Sequence, residues 1–142
     1  MLRLRPFQLA RRAMSINFVS TQNAPPPIGH YSQATSANGF VFVSGCVGMD
    51  PKTGSIVEGG IEAEAKQALI NLREIVKSSG SSIDKVVKTT VFMKNMSDFP
   101  VMNKAYAEIF GDHKPSRSAV EVARLPKDVL VEVECIALSA DK

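Results

Sequence analysis

Lys114-Pro115-Ser116-Arg117-Ser118 places an arginine where a loop gives way to a strand-like run. A guanidinium held at the start of a strand, just beyond a proline of fixed φ, presents a planar fork. That fork fits a carboxylate through two parallel charge-assisted hydrogen bonds. An arginine beside a turn is also commonly a solvated surface residue, so position alone leaves both readings open. Farther along, Glu132 and Glu134 alternate with Val131, Val133 and Cys135, so both carboxylates share the polar side of one strand, where they are either solvated or used. The two cysteines, Cys46 and Cys135, fall in strand-like runs and read as reduced core thiols. His30 and His113 fit loops, and neither a CxxC nor an HExxH spacing exists to hold a metal.

The elements that must position these groups follow from periodicity. Residues 31–37 and 40–47 form two strand-like runs around Asn38-Gly39, the dipeptide that a type I′ hairpin turn needs. Residues 50–54 read as a turn leading out of that hairpin. A helix is predicted over 61–78: Ile61, Ala65, Ala68, Leu69, Leu72, Ile75 and Val76 make one apolar stripe, and Gly80 suits the stop. Glu62, Glu64, Lys66, Arg73, Glu74 and Lys77 are assigned to its wet face. Residues 86–94 alternate as a strand. A second helix follows, capped by Ser97 with Asp98 and Pro100 in its first turn, presenting Phe99, Met102, Tyr106, Ile109 and Phe110. Strands over 118–122 and 129–137 close the chain. Two helices interrupting several strands predict an α+β domain, a mixed sheet with both helices on one face.

At 142 residues and 44% hydrophobic, the chain is one domain's worth of material with enough apolar residues for a core. The net charge of +3 is unevenly spread: the first acid is Asp50, whereas Arg3, Arg5, Arg11 and Arg12 precede Met14. An acid-free, arginine-rich start with interspersed leucines reads as a mitochondrial transit peptide over residues 1–14, leaving residues 15–142 as a single domain in the mitochondrial matrix. Initiation at Met14 would give a cytosolic form. Removing residues 1–14 takes away four arginines and no acid, so 17 basic and 14 acidic residues become 13 and 14, a net charge of −1. Such a domain has no overall basic footprint for nucleic acid, and no apolar run is long enough to span a bilayer as a helix.

The stretch Pro-Ser-Arg-Ser-Ala-Val-Glu-Val-Ala-Arg-Leu-Pro-Lys-Asp-Val-Leu-Val-Glu-Val-Glu (115–134) resembles the C-terminal signature of the Rid family, the YjgF-type proteins. The similarity extends through Ala-Pro-Pro-Pro-Ile-Gly-His-Tyr-Ser-Gln-Ala (24–34), Val-Ser-Gly (43–45), Asp-Pro-Lys-Thr-Gly (50–54) and Val-Lys-Thr-Thr-Val-Phe (87–92), and so covers most of residues 18–138 in order. The subgroup it resembles is reactive-intermediate deaminase A, as a mitochondrial member. This resemblance implies a chorismate-mutase-like fold and a homotrimer with pockets between subunits. It also implies hydrolysis of 2-imino and enamine acids, such as 2-aminoacrylate and 2-aminocrotonate, to 2-oxo acids and ammonia, without metal or cofactor. The role implied is metabolite repair that protects pyridoxal-phosphate enzymes, linked to their dehydratases and to branched-chain amino-acid metabolism. Carried over by position, Arg117 matches the arginine that holds the substrate carboxylate and Glu132 the acid that positions or activates water. Tyr31, Ser44, Gly45 and Asn103 match pocket residues, and Ala119 stands where many members have cysteine.

Two other classes of function stay open at this point. A non-catalytic sensor or mitochondrial maintenance factor would use Arg117 alone, while Glu132 favours catalysis. A nuclease or translation inhibitor would need a basic stripe, and Lys94, Lys104 and Lys114 are scattered without aromatic interleaving.

Overall fold

Asn38 and Gly39 both take positive φ, 51° and 82°, and close a two-residue hairpin between strands β2 (Ala34–Ala37) and β3 (Phe40–Val47). The computed structural model describes residues 15–140, so the expected transit peptide lies outside the described residues. A short strand β1 (Asn17–Val19) pairs antiparallel with β2; three residues rich in polar neighbours gave no periodic signal for it. Strand β2 begins at Ala34, three residues later than periodicity predicts, because the segment before it folds back on itself. There the Gln33 amide nitrogen donates to the Thr21, Ala24 and Pro25 carbonyls at 3.0, 3.2 and 2.8 Å.

The rest of the chain is two crossovers and a return. Helix α1 (Gly60–Ser78) leads from β3 to β4 (Val86–Met93), helix α2 (Phe99–Phe110) leads from β4 to β5 (Ser116–Glu121), and β6 (Val131–Leu138) inserts between β3 and β4. The sheet order is β1-β2-β3-β6-β4-β5; β4 and β5 are parallel and every other pair is antiparallel. Since β6 is antiparallel to both its neighbours, β3 and β4 are themselves parallel. Both crossovers therefore join parallel strands and move the same way across the sheet. Right-handed connections then place both helices on one face.

That face holds the core. Leu69, Leu72 and Val76 of α1 and Met102 and Phe110 of α2 pack on Val41, Val43, Val91, Met93, Val131 and Val133, all essentially buried. Each fully buried leucine contributes roughly 2 kcal/mol by leaving water. The opposite face is bare and partly apolar: Phe18, Phe40, Phe42, Val120 and Leu138 are exposed beside the half-buried Glu132, Glu134 and Ile136.

Three local expectations change. Glu64, assigned to the wet face of α1, is only 8% exposed; its carboxylate accepts the Leu130 N–H at 2.8 Å, so a helix acid takes up a backbone donor ahead of β6. Ser97 does not cap α2: residues 96–98 form a 3-10 turn, and the Met96 N–H is taken by the Glu121 carboxylate at 2.8 Å. Strand β5 begins at Ser116, not 118, which draws Arg117 into the sheet.

Helix α1 rides unusually close to the end of β3. A Cβ on Gly48 would stand 2.6 Å from the Glu64 Cα and 2.7 Å from its carbonyl oxygen, backbone atoms that cannot swing aside. Gly48→Ala is expected to lower unfolding free energy by roughly 2–3 kcal/mol through overpacking, whereas Ile83→Val, a one-methyl change outside that seam, should cost only about 0.5–1.5 kcal/mol. Urea denaturation of both variants checks the ranking, and equal midpoints would show that the seam relaxes freely.

Candidate active site

Arg117 sits second in β5, an edge strand, with Thr89 of β4 as its register partner. Along β4, Thr89, Val91 and Met93 are buried toward the helices, so Arg117 and, two residues on, Ala119 face the helix side too. The guanidinium carbon lies 4.6 Å from the Tyr106 ring centroid and 5.4 Å from that of Phe99. No carboxylate and no hydrogen-bond acceptor among the described residues engages the Arg117 head group. Its five N–H donors remain available, which is the state an anion-binding arginine needs. Asn103 lies four residues after Phe99 and three before Tyr106, on the same side of α2 as the two rings.

Tyr106 is itself fixed. Its hydroxyl and the Thr89 hydroxyl are hydrogen-bonded at 2.8 Å, and its ring stacks on Phe110 with centroids 4.2 Å apart. Burial pushes the Tyr106 phenol above its usual range, an effect partly offset by the Thr89 hydrogen bond and the Arg117 charge. The phenol is therefore neutral at physiological pH.

A second cluster forms around a break in the β3–β6 ladder between Val43 and Cys46. Ser44 is held there twice: its N–H donates to the Gln33 carbonyl at 3.0 Å and its hydroxyl to the Ser32 carbonyl at 2.7 Å. The backbone at Gly45 passes so close to Glu132 that a Cβ there would overlap the carboxylate and push that side chain aside. Tyr31, 49% exposed, shares with Ser44 and Gly45 a cavity of about 50 Å³ walled by Pro25, Ile28 and Met49. Burial, and secondarily the Glu134 charge two residues away, raises the Glu132 pKa above the ordinary carboxylate range. A half-dry carboxylate with raised proton affinity is a better base than a solvated one.

The two clusters do not meet within one chain. Glu132 pairs with Phe92 on the bare face, while Arg117 pairs with Thr89 on the helix face, so the sheet separates the proposed anchor from the proposed base. Within one chain the two residues are therefore not side by side. The candidate residues fall into two groups in one chain: Arg117, Asn103 and Ala119, and separately Tyr31, Ser44, Gly45 and Glu132. Sequence reasoning missed Gln33 as the hub under Ser44, and Thr89 with the rings of Tyr106 and Phe99 as the support of Arg117. Gln33 and Thr89 lie inside the recognisable stretches, but nothing in residue type marks a buried polar hub.

The other titratable groups are accounted for structurally. The His113 ring Nε2 and the Val86 carbonyl are 2.7 Å apart, and His30 is exposed on its loop. Burial pushes the Cys135 thiol up to about 12 and the Cys46 thiol higher, so neither is a nucleophile. Among the described residues no three His, Cys, Asp or Glu gather into a metal-binding group. A larger polar cleft of about 500 Å³ beside β1 and the end of α1 is lined by Asn17, Ser36, Ser79 and their neighbours, with no titratable side chain among the described residues that line it.

The raised Glu132 pKa has a sign that can be measured. The folded state binds that proton more tightly than the unfolded chain, so the contribution is fully present below the ordinary carboxylate range. It is lost as pH rises through the folded pKa. Glu132→Gln, which cannot ionise, should gain thermal stability relative to the parent at pH 7.5, with the gap closing toward pH 4. The opposite sign, a variant less stable at neutral pH, would show that burial does not raise the proton affinity of this carboxyl group.

Comparison with known proteins agrees with this geometry. Residues 21–139 match the family described as Endoribonuclease L-PSP. A RutC family protein of Pyrococcus horikoshii is 53% identical over 119 residues, spanning 84% of this chain and 94% of that protein. The rat 2-iminobutanoate/2-iminopropanoate deaminase is 47% identical over 120 residues, 84% of this chain and 88% of that one. The crystal structure of Escherichia coli TdcF with bound serine superposes with a TM-score of 0.83 at 38% identity, covering 87% of this chain and 99% of TdcF. With a matching fold, a matching length and both clusters inside the matched span, the chain belongs to the Endoribonuclease L-PSP family, the YjgF or Rid proteins.

Proposed function

We propose that this protein hydrolyses reactive 2-imino acids and their enamine tautomers, such as 2-aminoacrylate and 2-aminocrotonate, to 2-oxo acids and ammonia. The observation that carries the reading is Arg117: a half-buried guanidinium flanked by two aromatic rings, with no acid or hydrogen bond to occupy it among the described residues. The deaminase name of mammalian and bacterial relatives supports the same reaction class.

In this mechanism Arg117 grips the substrate carboxylate, and Asn103 and Ala119 line the same side. The protonated C=N carbon is already electrophilic, so the protein supplies orientation and one base. Glu132 takes a proton from water as the oxygen adds to that carbon, giving a carbinolamine. Glu132 returns that proton to the nitrogen, making it a leaving group. The C–N bond then breaks, the nitrogen leaves with the bonding pair as ammonia, and Glu132 takes the hydroxyl proton as C=O forms, passing it on to the released ammonia or to water. Gly45, lacking a side chain, lets substrate and water reach the Glu132 carboxylate.

Because the sheet keeps Arg117 and Glu132 apart, a complete site needs one half from each of two copies. The bare face of Phe40, Phe42, Val120 and Leu138 is the surface that association would cover, and a closed three-fold ring satisfies it without open edges. The assembly in this proposal is a homotrimer. Its place in the cell is the mitochondrial matrix, reached through residues 1–14, with a cytosolic form if translation starts at Met14. There it would clear imines released by pyridoxal-phosphate-dependent dehydratases and so support branched-chain amino-acid metabolism. Replacing Arg3, Arg5, Arg11 and Arg12 by glutamine should leave the protein in the cytosol, and unchanged import would sink that part of the proposal.

The reaction is tested by ammonia release from an imine generated in place by a threonine or serine dehydratase. Arg117→Lys should fail nearly as badly as Arg117→Ala, since an ammonium cannot reproduce the planar fork. Glu132→Gln should bind a 2-oxo acid about as well as the parent yet hydrolyse imine on the order of 10²-fold more slowly. Wild-type hydrolysis by both variants would move the chemistry to other residues, whereas 2-oxo acid binding by the parent with no ammonia release would leave a sensor as the better reading. RNA cleavage by the parent with no ammonia release would favour the nuclease. Mixing inactive Arg117→Ala and Glu132→Gln chains should restore activity if the halves come from different subunits.

A further inference from the structure

Thr89, Tyr106 and Arg117 close a triangle. Thr89 is the register partner of Arg117 across β4 and β5, its hydroxyl is bonded to the Tyr106 hydroxyl at 2.8 Å, and the Tyr106 ring lies 4.6 Å from the guanidinium carbon. The backbone that carries the arginine and the ring that bears on its head are thus tied to one buried residue, Thr89, which is fully shielded from solvent. Phe99 bears on the same guanidinium at 5.4 Å, and Phe110 stacks behind Tyr106 at 4.2 Å.

A carboxylate paired with a half-buried arginine would compete with an incoming acid for the same donors. Here the holding groups are ring faces, which attract the cation through the quadrupole and accept none of its N–H groups. We propose that Tyr106 and Phe99, with Thr89 as the tether of Tyr106, are positioning residues that orient the Arg117 fork for a substrate carboxylate while leaving its donors free. The proposal rests on the reading of Arg117 as carboxylate anchor, and its test separates the two. Loss of a ring should weaken recognition of the carboxylate and leave binding of an otherwise equal neutral ligand unchanged, which a purely structural role would not do.

The experiment measures Kd for 2-oxobutanoate and for its neutral amide, 2-oxobutanamide, with the full chain in its native assembly. The ratio of the two reads carboxylate recognition alone. Tyr106→Leu should cut the parental preference for the carboxylate by roughly three- to tenfold. Tyr106→Phe, which keeps the ring and loses only the tether to Thr89, should lose about twofold. Should Tyr106→Leu fail to fold, Phe99→Leu, half-buried at the start of α2, reads the same effect. Equal weakening of both ligands in the leucine variants, or an unchanged ratio, overturns the positioning role. If Arg117→Ala abolishes the preference while Tyr106→Leu and Phe99→Leu keep it, only the positioning proposal falls. An Arg117→Ala variant with the parental ratio removes the anchor reading itself, and the proposal with it.

Discussion

Right-handed crossover is the constraint on which this molecule turns. Strands β3, β4 and β5 run parallel, and both connections between them step in the same direction across the sheet. Handedness then sends α1 and α2 to one side and leaves the other without a layer of its own. Strand β6, coming last, fills the gap between β3 and β4 and supplies the central apolar row of Val131, Val133 and Cys135. Its alternate residues are thereby committed to the bare face, Glu132 among them.

The same constraint divides the chemistry. A strand shows successive side chains to opposite faces, so Thr89 and Phe92, three residues apart on β4, assign their partners Arg117 and Glu132 to opposite sides. An anchor on the helix face of an edge strand can reach beyond that edge, and a carboxylate on the bare face is open to a second copy. The apolar residues exposed around Glu132 make that face costly to leave in water. Packing and proposed catalysis thus call for the same association.

Within each half the polar groups differ in how they are held. Around Glu132 the means is exclusion: Gly45 removes a side chain, burial raises proton affinity, and Ser44 is fixed by hydrogen bonds to the segment that Gln33 organises. Around Arg117 the means is attraction without donors or acceptors, from the Tyr106 and Phe99 ring faces. A base profits from partial desolvation and an anion receptor from unspent hydrogen bonds, so the two environments suit the roles assigned to them.

Much of this was written in local pattern. Asn38-Gly39 dictates its hairpin because both residues must take positive φ; the stripe from Ala65 to Val76 dictates α1; the alternation after Val129 dictates which face of β6 is buried. Arg117 and Glu132 are legible as chemistry through residue type, spacing and the signature around them. Glu64 was misread as solvated because its partner, the Leu130 N–H, is 66 residues away and no period reports it. The aromatic setting of Arg117 and the Thr89 tether depend on a parallel pairing between segments separated by a whole helix. The division of the site has the same origin: which side of the sheet a residue faces is set by register and by the hand of the crossovers. By itself the sequence determined the elements, the faces each would bury and the side chains able to do chemistry, because those follow from neighbours one to four residues apart. Only the tertiary structure decided that Arg117 and Glu132, the proposed anchor and base, stand on opposite faces, because strand order and register are properties of contacts between distant segments.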